Sequence, residues 1–268
     1  MGFVAAVIAA AKLAGFGAAI VLLAPLHMVL RRLSGRRHLI PRLFHRILLQ
    51  LFQITVRCDG TAPHAGAIIV SNHLSYLDIP VIGAHVNHSV FVAKKDVAGW
   101  PLFGWLARLQ DTIFVDRRPS SAQRTLAMLQ ADWPKSANVI IFPEGTSTNG
   151  VSVMPFKSSL FALFAGHAEQ FVQPLTLRLE NANGLPIEAC SEAAQAALAQ
   201  QQSAGRDYYA WHGDMELPPH LWAFAKGRGA TIRLIFHEPI AAGDYPDRKA
   251  FAQLCFQHVR GGLGGPVS

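Results

Sequence analysis

The sequence predicts an α/β fold: a largely parallel central sheet flanked by helices, with an N-terminal membrane-associated helical segment. Three observations lead there. From residue 56 onward short apolar runs alternate with helix-length segments, the pattern of strands crossed over by helices. The first 30 residues carry a single charged side chain and are followed by a cluster of arginines. The chain is 51% hydrophobic and only 15% charged, against about 25% charged in typical soluble domains, yet carries a net charge of +7.

The N-terminal segment comes first. Between Gly2 and Leu30 the only charged side chain is Lys12, and the run from Leu13 to Leu30 has none. That run just reaches the length of a spanning helix, about 17–25 residues. Arg31, Arg32, Arg36, Arg37 and Arg42 follow it, which places this end on the cytoplasmic side by the charge-bias rule. Residues 41–55 mix Leu, Ile and Phe with Arg42, His45 and Arg46, as in a helix lying in the membrane interface. A cleaved signal peptide fits poorly, because arginines and not small residues follow the apolar run. Pro25 and the small residues Gly15, Gly17, Ala18 and Ala19 weaken the first helix as a spanner, so spanning and monotopic insertion both stay open. Residues 1–55 thus form the membrane anchor with its basic cluster, and residues 56–268 form the catalytic body.

Within that body, residues 67–70, 90–93, 112–115, 138–142, 171–177 and 231–236 are expected as buried strands. Helices are expected at 77–84, 101–109, 121–132 and 157–165, and the Ala- and Gln-rich stretch 186–205 as a surface helix or loop insertion. Active sites in such sheets gather at the carboxyl ends of the strands.

A greasy, basic chain suits an anionic membrane surface or an acidic protein partner. Nucleic acid is excluded as a partner: the basic residues do not alternate with exposed aromatics, and no binding motif for it occurs. Cys58, Cys190 and Cys255 are odd in number and widely spaced, which suggests neither a zinc site nor a disulfide framework and fits a reduced, cytosolic-side location.

Three strand ends carry chemistry. AIIV leads into Ser71-Asn72-His73-Leu74-Ser75-Tyr76-Leu77-Asp78. A carboxylate beside a histidine holds one ring nitrogen protonated, which leaves the other free to accept a proton from a hydroxyl. Residues five apart on one regular helix point away from each other, so His73 and Asp78 meet only if His73 precedes the helix and the chain turns between them. Taken alone, Ser75 and Asp78 also fit a helix-capping box. The second end is Ile140-Ile141-Phe142-Pro143-Glu144-Gly145-Thr146-Ser147, where Pro143 stops a buried strand and presents a carboxylate beside a glycine. A solvated glutamate at an ordinary turn is the plainer alternative. The third is Thr112-Ile113-Phe114-Val115-Asp116-Arg117-Arg118, whose arginines suit a phosphate or carboxylate, or a surface ion pair.

Together, in this order, NHLSYLD, FVDR, FPEGT and the later VQPLTL resemble the four blocks of the glycerolipid and lysophospholipid acyltransferase superfamily, over about residues 68–177. The resemblance implies an acyl transfer from a thioester to the free hydroxyl of a lysolipid. It makes His73 the general base and Asp78 the residue that orients and polarises it. Glu144, Gly145 and Thr146 would shape the acceptor site, Arg117 would hold an anionic head group, and Lys94 of FVAKKDV would stabilise the developing oxyanion. Coenzyme A or acyl carrier protein would bring the acyl group as co-substrate. No further cofactor is implied, and no G-x-S-x-G nucleophile elbow is present. The partners would be a membrane lipid acceptor and the anionic surface of the inner membrane, with the catalytic body on the cytoplasmic side.

The chain departs from the family's pattern twice. Asp111 stands where many members carry the glycine that opens the Phe-Val-x-Arg block. Ser147 replaces the arginine with which glycerol-phosphate enzymes commonly continue FPEGT, removing a phosphate ligand for which Arg117 or Arg118 could compensate. FPEGTS, FKSSLF and Tyr209-Ala210-Trp211-His212-Gly213-Asp214-Met215 resemble bacterial members that acylate lyso-ornithine lipid. Lysophosphatidic acid (1-acyl-glycerol-3-phosphate) stands narrowly ahead as acceptor on its prevalence, with lyso-ornithine lipid the alternative. Two other classes compete from further off: a metal hydrolase built on His85 and His88, spaced as on one helix face, and a noncatalytic membrane scaffold. Trp211 and Trp222 are placed at the lipid entrance, and His237-Glu238-Pro239 at a strand end.

Overall fold

The computed structural model describes residues 2–34, 38–63, 65–115, 137–161, 170–187, 205–245 and 247–264. Two helices open the chain, α1 (Gly2–Ser34) and α2 (Leu39–Leu51), followed by β1 (Ile54–Asp59), β2 (Ile68–Ser71), α3 (Asp78–His85) and β3 (Ser89–Lys94). Then come α4 (Phe103–Leu109), β4 (Ile113–Val115), β5 (Asn138–Ile141), the short α5 (Ser158–Phe161), β6 (Phe171–Ala182) and β7 (Leu185–Pro186). The chain closes with α6 (Leu217–Lys226), β8 (Ala230–Phe236), β9 (Ile240–Ala241) and α7 (Arg248–Gly264).

The strands join in the order β1-β8-β6-β2-β5-β3-β4, with β7 and β9 paired to β6. From β6 to β4 every pairing is parallel, as is β1 with β8. The two halves meet where β6 and β8 pair antiparallel. The central strands are buried on both faces, and successive side chains alternate between two cores as a pleat requires. Ile69, Ile140, Leu175 and Leu177 pack on the face covered by α2 and α3. Ile68, Val70, Val139 and Ile141 pack on the other, against Phe251, Cys255 and Val259 of α7.

Each expected strand is found, displaced by a residue or two, except that β6 continues five residues beyond the predicted end at 177. The interfacial helix ends at Leu51 and not at 55, because Gln53 takes a left-handed conformation (φ +58°) and turns the chain into β1. Gly229 makes room for that turn: a Cβ there would lie 2.0 Å from the Gln53 carbonyl oxygen. The strand β1 was not expected. It is an edge strand whose Arg57 and Asp59 pair with Glu180 and Arg233 across the sheet, so its apolar signal is weak. The expected helix 121–132 lies outside the described residues, as does most of the stretch 186–205.

Helix α1 is docked on the body. Lys12 Nζ donates to the Gly227 carbonyl at 2.9 Å and to Gln53 Oε1 at 3.3 Å. His27 Nε2 donates to the Leu109 carbonyl at 2.8 Å, and Arg31 forms an ion pair with Asp111 at 2.6 Å. Gly15 lets α2 come close, since a Cβ there would meet Leu51 at 3.0 Å. The opposite face of α1 exposes Phe3, Val7, Val21, Leu22, Val29 and Leu33. The arginine pair also accounts for the first family departure: Asp111 sits at φ +59°, a conformation glycine takes freely and aspartate tolerates better than most residues.

Candidate active site

Because β2, β5, β3 and β4 are parallel, their carboxyl ends share one edge of the sheet. Val70 is in register with Ile141, so the loops carrying His73 and Glu144 leave the sheet side by side. Asn72 fixes the first of them. Its side-chain amide donates to the Leu177 carbonyl at 2.9 Å and its carbonyl accepts from the Leu177 N–H at 2.8 Å, locking the end of β2 to β6.

Residues 74–77 form the turn that the five-residue spacing demands, and Asp78 opens α3. The imidazole thus lies before the helix, and its Nδ1 stands 2.7 Å from Asp78 Oδ2. A carboxylate can only accept, so Nδ1 carries the proton and Nε2 is left as an acceptor. Asp78 Oδ2 also takes the backbone N–H groups of Leu74 and Ser75 at 2.7 and 3.0 Å, and Oδ1 takes the Tyr209 hydroxyl at 2.9 Å. Its side chain is wholly buried while that of His73 stays 22% exposed, a fixed carboxylate behind an accessible base. The capping-box alternative is half present: Asp78 accepts from the Ser75 backbone, but the buried Ser75 hydroxyl has no partner in return. The His73 ring lies on Phe142, centroids 4.1 Å apart and planes 16° apart, which holds its second dihedral.

Glu144 is not the solvated glutamate of an ordinary turn. It is 1% exposed, its Oε1 accepts the His73 backbone N–H at 2.8 Å, and its Oε2 accepts that of Met154 at 2.7 Å. Burial pushes its carboxyl up to about 7 against those two hydrogen bonds. It braces the His73 loop through the main chain. Phe142 to Gly145 makes a four-residue turn closed by a 3.1 Å hydrogen bond, with proline second and glycine fourth, the positions reverse turns favour for them. Gly145 then continues at φ +80°, which only glycine adopts without strain. Thr146 is exposed beyond it, and the Thr148 N–H closes the loop onto the His73 carbonyl at 2.9 Å.

Lys94 is exposed at the end of β3 on the same edge of the sheet. Arg117 and Arg118 lie outside the described residues. His85 ends α3 with its Nδ1 donating to the Val81 carbonyl, and His88 lies past the helix at φ +42°, so the two do not share a helix face. Trp211 stands against Tyr76 and Trp100, centroids 6.0 Å from each, while Trp222 is exposed with Lys226 over its ring.

Beside the dyad opens an apolar cavity of about 1060 Å³, its mouth included. Tyr76 and Leu77 from the turn between His73 and Asp78 line it, together with Phe16, Leu48, Phe91, Trp100 and Phe103. This cavity has no direct signal in the sequence, since its walls come from α1, α2, α3, α4, α6 and the strands β1 and β3. His45 is the buried polar group of its wall. Its Nε2 meets Gln110 Oε1 at 2.8 Å, and burial pushes its pKa down to about 4.

Comparison with known proteins follows the same lines. The family model described as Acyltransferase matches residues 53–178. The lyso-ornithine lipid O-acyltransferase of Rhodobacter capsulatus is 35% identical over 205 residues, 75% of this chain and 67% of that protein. The 1-acyl-sn-glycerol-3-phosphate acyltransferase of Neisseria meningitidis is 27% identical over 198 residues, 73% of this chain and 68% of that one. In fold, the crystal structure of the 1-acyl-sn-glycerophosphate acyltransferase from Thermotoga maritima superposes with a TM-score of 0.63 at 17% identity, covering 97% of this chain and 93% of that one. Both acceptor lipids expected from the sequence are represented among these relatives, with no advantage to the phosphate lipid. With its histidine–aspartate pair at the end of β2 and these likenesses along its length, the chain belongs to the lysolipid acyltransferase family.

Proposed function

We propose that this enzyme moves a fatty acyl group from a thioester onto the hydroxyl of lyso-ornithine lipid. The observation that carries the chemistry is the His73–Asp78 pair, an imidazole whose Nδ1 is fixed by a buried carboxylate and whose Nε2 is left to act as base. The acceptor hydroxyl attacks the thioester carbonyl carbon as His73 Nε2 takes its proton. The tetrahedral intermediate collapses, the C–S bond breaks, and the imidazolium returns the proton to the leaving thiolate. Lys94, at the same sheet edge, supplies positive charge for the developing oxyanion. The step is redox-neutral and the acyl group arrives activated, so coenzyme A or acyl carrier protein as co-substrate suffices.

The apolar cavity is the seat of the acyl chain, lined almost throughout by aliphatic and aromatic side chains as such clefts are. Ser147 in place of a phosphate-binding arginine favours the ornithine head group, as does the greater identity to the Rhodobacter relative. The exposed apolar face of α1, continued by Leu39 and Leu43 of α2 and Trp105 of α4, beds the protein in one leaflet. Lys12, His27 and Arg31 hold α1 along the body, which favours this monotopic placement over a free spanning helix. The positive charge at the end of α1 and in α2, with Arg31, Arg32 and Arg42 among the described residues, suits the anionic cytoplasmic leaflet of the inner membrane.

The test offers lysophosphatidic acid and lyso-ornithine lipid in parallel to membranes carrying the protein, with a His73→Ala control. Transfer to lyso-ornithine lipid that vanishes in the control is expected. Transfer to the phosphate lipid alone would reverse the acceptor assignment, and equal activity in the control would remove the mechanism.

A further inference from the structure

Tyr209 lies beyond the stretch that the family model covers, on a segment whose sequence string has no role in the chemistry above. It is wholly buried, among the largest side chains that are, with its ring edge-on to Phe224 of α6 at 6.2 Å. Its hydroxyl reaches across 131 positions of sequence to donate to Asp78 Oδ1 at 2.9 Å. The segment around it is fastened to both catalytic loops. The Trp211 N–H donates to the Leu74 carbonyl at 2.9 Å, and Arg206 Nη1 donates to the Gly150 carbonyl at 3.0 Å.

We propose that Tyr209 is a positioning residue for acyl transfer, fixing the rotation of the Asp78 carboxylate so that Oδ2 faces His73 Nδ1. The inference rests on His73 being the base. Asp78 Oδ2 has three donors, His73 Nδ1 and two backbone N–H groups, all from its own turn. Oδ1 is held from outside that turn, by Tyr209. Without this bond Oδ1 loses its tether, and more of the carboxylate's negative charge bears on the imidazole, with only the Leu74 and Ser75 N–H groups left to share it. Burial and the neighbouring Asp78 hold the Tyr209 phenol well above its ordinary pKa, so it remains a donor at every pH at which the enzyme works. The bond therefore does two things: it aims the carboxylate and it tempers the carboxylate's charge.

Tyr209→Phe keeps the ring and its contact with Phe224 and removes only the hydroxyl. In the full-length protein in membranes, kcat is expected to fall about 10- to 100-fold, the size of a lost hydrogen bond to a charged group, with the acceptor KM within about twofold. The acidic limb of the kcat/KM profile is expected to move to higher pH by about half a unit to one unit, since an untempered carboxylate stabilises the imidazolium. Placing 3-fluorotyrosine at position 209, a stronger donor of nearly the same shape, is expected to move the limb the other way. The position of the limb does not depend on how much protein is folded, so a poorly folding variant still reports. A limb that stays in place in both variants overturns the proposal, whatever happens to stability. His73→Ala, assayed alongside, separates the two ideas: full activity there removes the base itself, while loss there with unmoved limbs removes only the role of Tyr209.

Discussion

The backbone N–H of His73 donates to Glu144 Oε1 at 2.8 Å, so the motif glutamate holds His73 through the main chain and not through its ring. The same carboxyl group spans to Met154, tying the loop after β2 to the loop after β5.

That brace has a pH signature. Burial raises the Glu144 carboxyl from its ordinary value to about 7, so the fold favours the protonated acid. Its contribution to stability is complete below the unfolded value near 4.5 and is lost as pH rises through about 7. His45 works in the opposite sense. Its pKa is depressed to about 4, so its contribution is complete above about 6.5 and is lost as pH falls toward 4. Glu144→Gln is expected to abolish the part of the stability decline between pH 5 and 8 that Glu144 causes, measured as the difference in unfolding temperature between the two proteins at each pH. The glutamine amide also sets a donor against a backbone N–H, so activity is expected to drop by roughly tenfold. Parallel pH curves for the two proteins would show that the carboxyl is not titrating there.

Asp111 makes a separable prediction. The position demands φ +59°, and the side chain pairs with Arg31 of α1. Asp111→Gly keeps the conformation and loses a partly exposed ion pair, expected to cost no more than about 1 kcal/mol. Asp111→Val keeps neither and adds backbone strain of about 1–3 kcal/mol. Thermal unfolding of both variants checks the order; equal losses would mean that the backbone conformation is not what the position requires.

The His73–Asp78 pairing was legible in the sequence because its geometry is local. Five residues, a buried strand before them and a helix after them confine His73 and Asp78 to one turn. Sheet order and the location of the cavity were not legible, since β6 meets β8 across some sixty residues and the cavity wall draws on seven separate helices and strands. Helix α7 carries a readable signal in its buried Phe251, Ala252, Cys255 and Val259, spaced for one helical face, though a weaker one than the motifs. Glu144 was legible as important but not in its role, because hydrogen bonds to backbone N–H groups leave no residue pattern.

Gly83 of α3 faces His45 of α2 so closely that a Cβ would stand 2.4 Å from His45 Cδ2. Gly83→Ala is expected to cost about 1–3 kcal/mol by overpacking at this helix crossing. Pairing it with His45→Ala makes room for the methyl, so the double variant is expected to be more stable than the sum of the two single losses predicts. Additive losses in thermal unfolding would argue that the helices separate there without mutual cost.

If the apolar cavity seats the acyl chain, filling it shortens the chain it takes. Ala107 lines the wall formed by α4. Ala107→Phe is expected to lower kcat/KM for long acyl donors by about tenfold or more relative to short ones, since displaced methylenes lose about 0.8 kcal/mol each. A uniform loss over all chain lengths would place the acyl chain elsewhere.

Ser147 offers the sharpest test of the head-group site. It is half-buried, and its neighbour Thr148 is hydrogen-bonded to the His73 carbonyl, so a side chain at position 147 leaves the loop beside the base. An arginine there would bring a planar, permanently charged donor to any phosphate on the acceptor. Against an ornithine head group the same charge meets an ammonium as well as a carboxylate, and the attraction largely cancels. Ser147→Arg is therefore expected to shift the ratio of kcat/KM for lysophosphatidic acid over lyso-ornithine lipid upward by about tenfold or more, within the range of one charge-assisted hydrogen bond. An unchanged ratio, in a variant that still acylates either lipid, would place the head group away from this loop and pass the discrimination to Arg117 and Arg118.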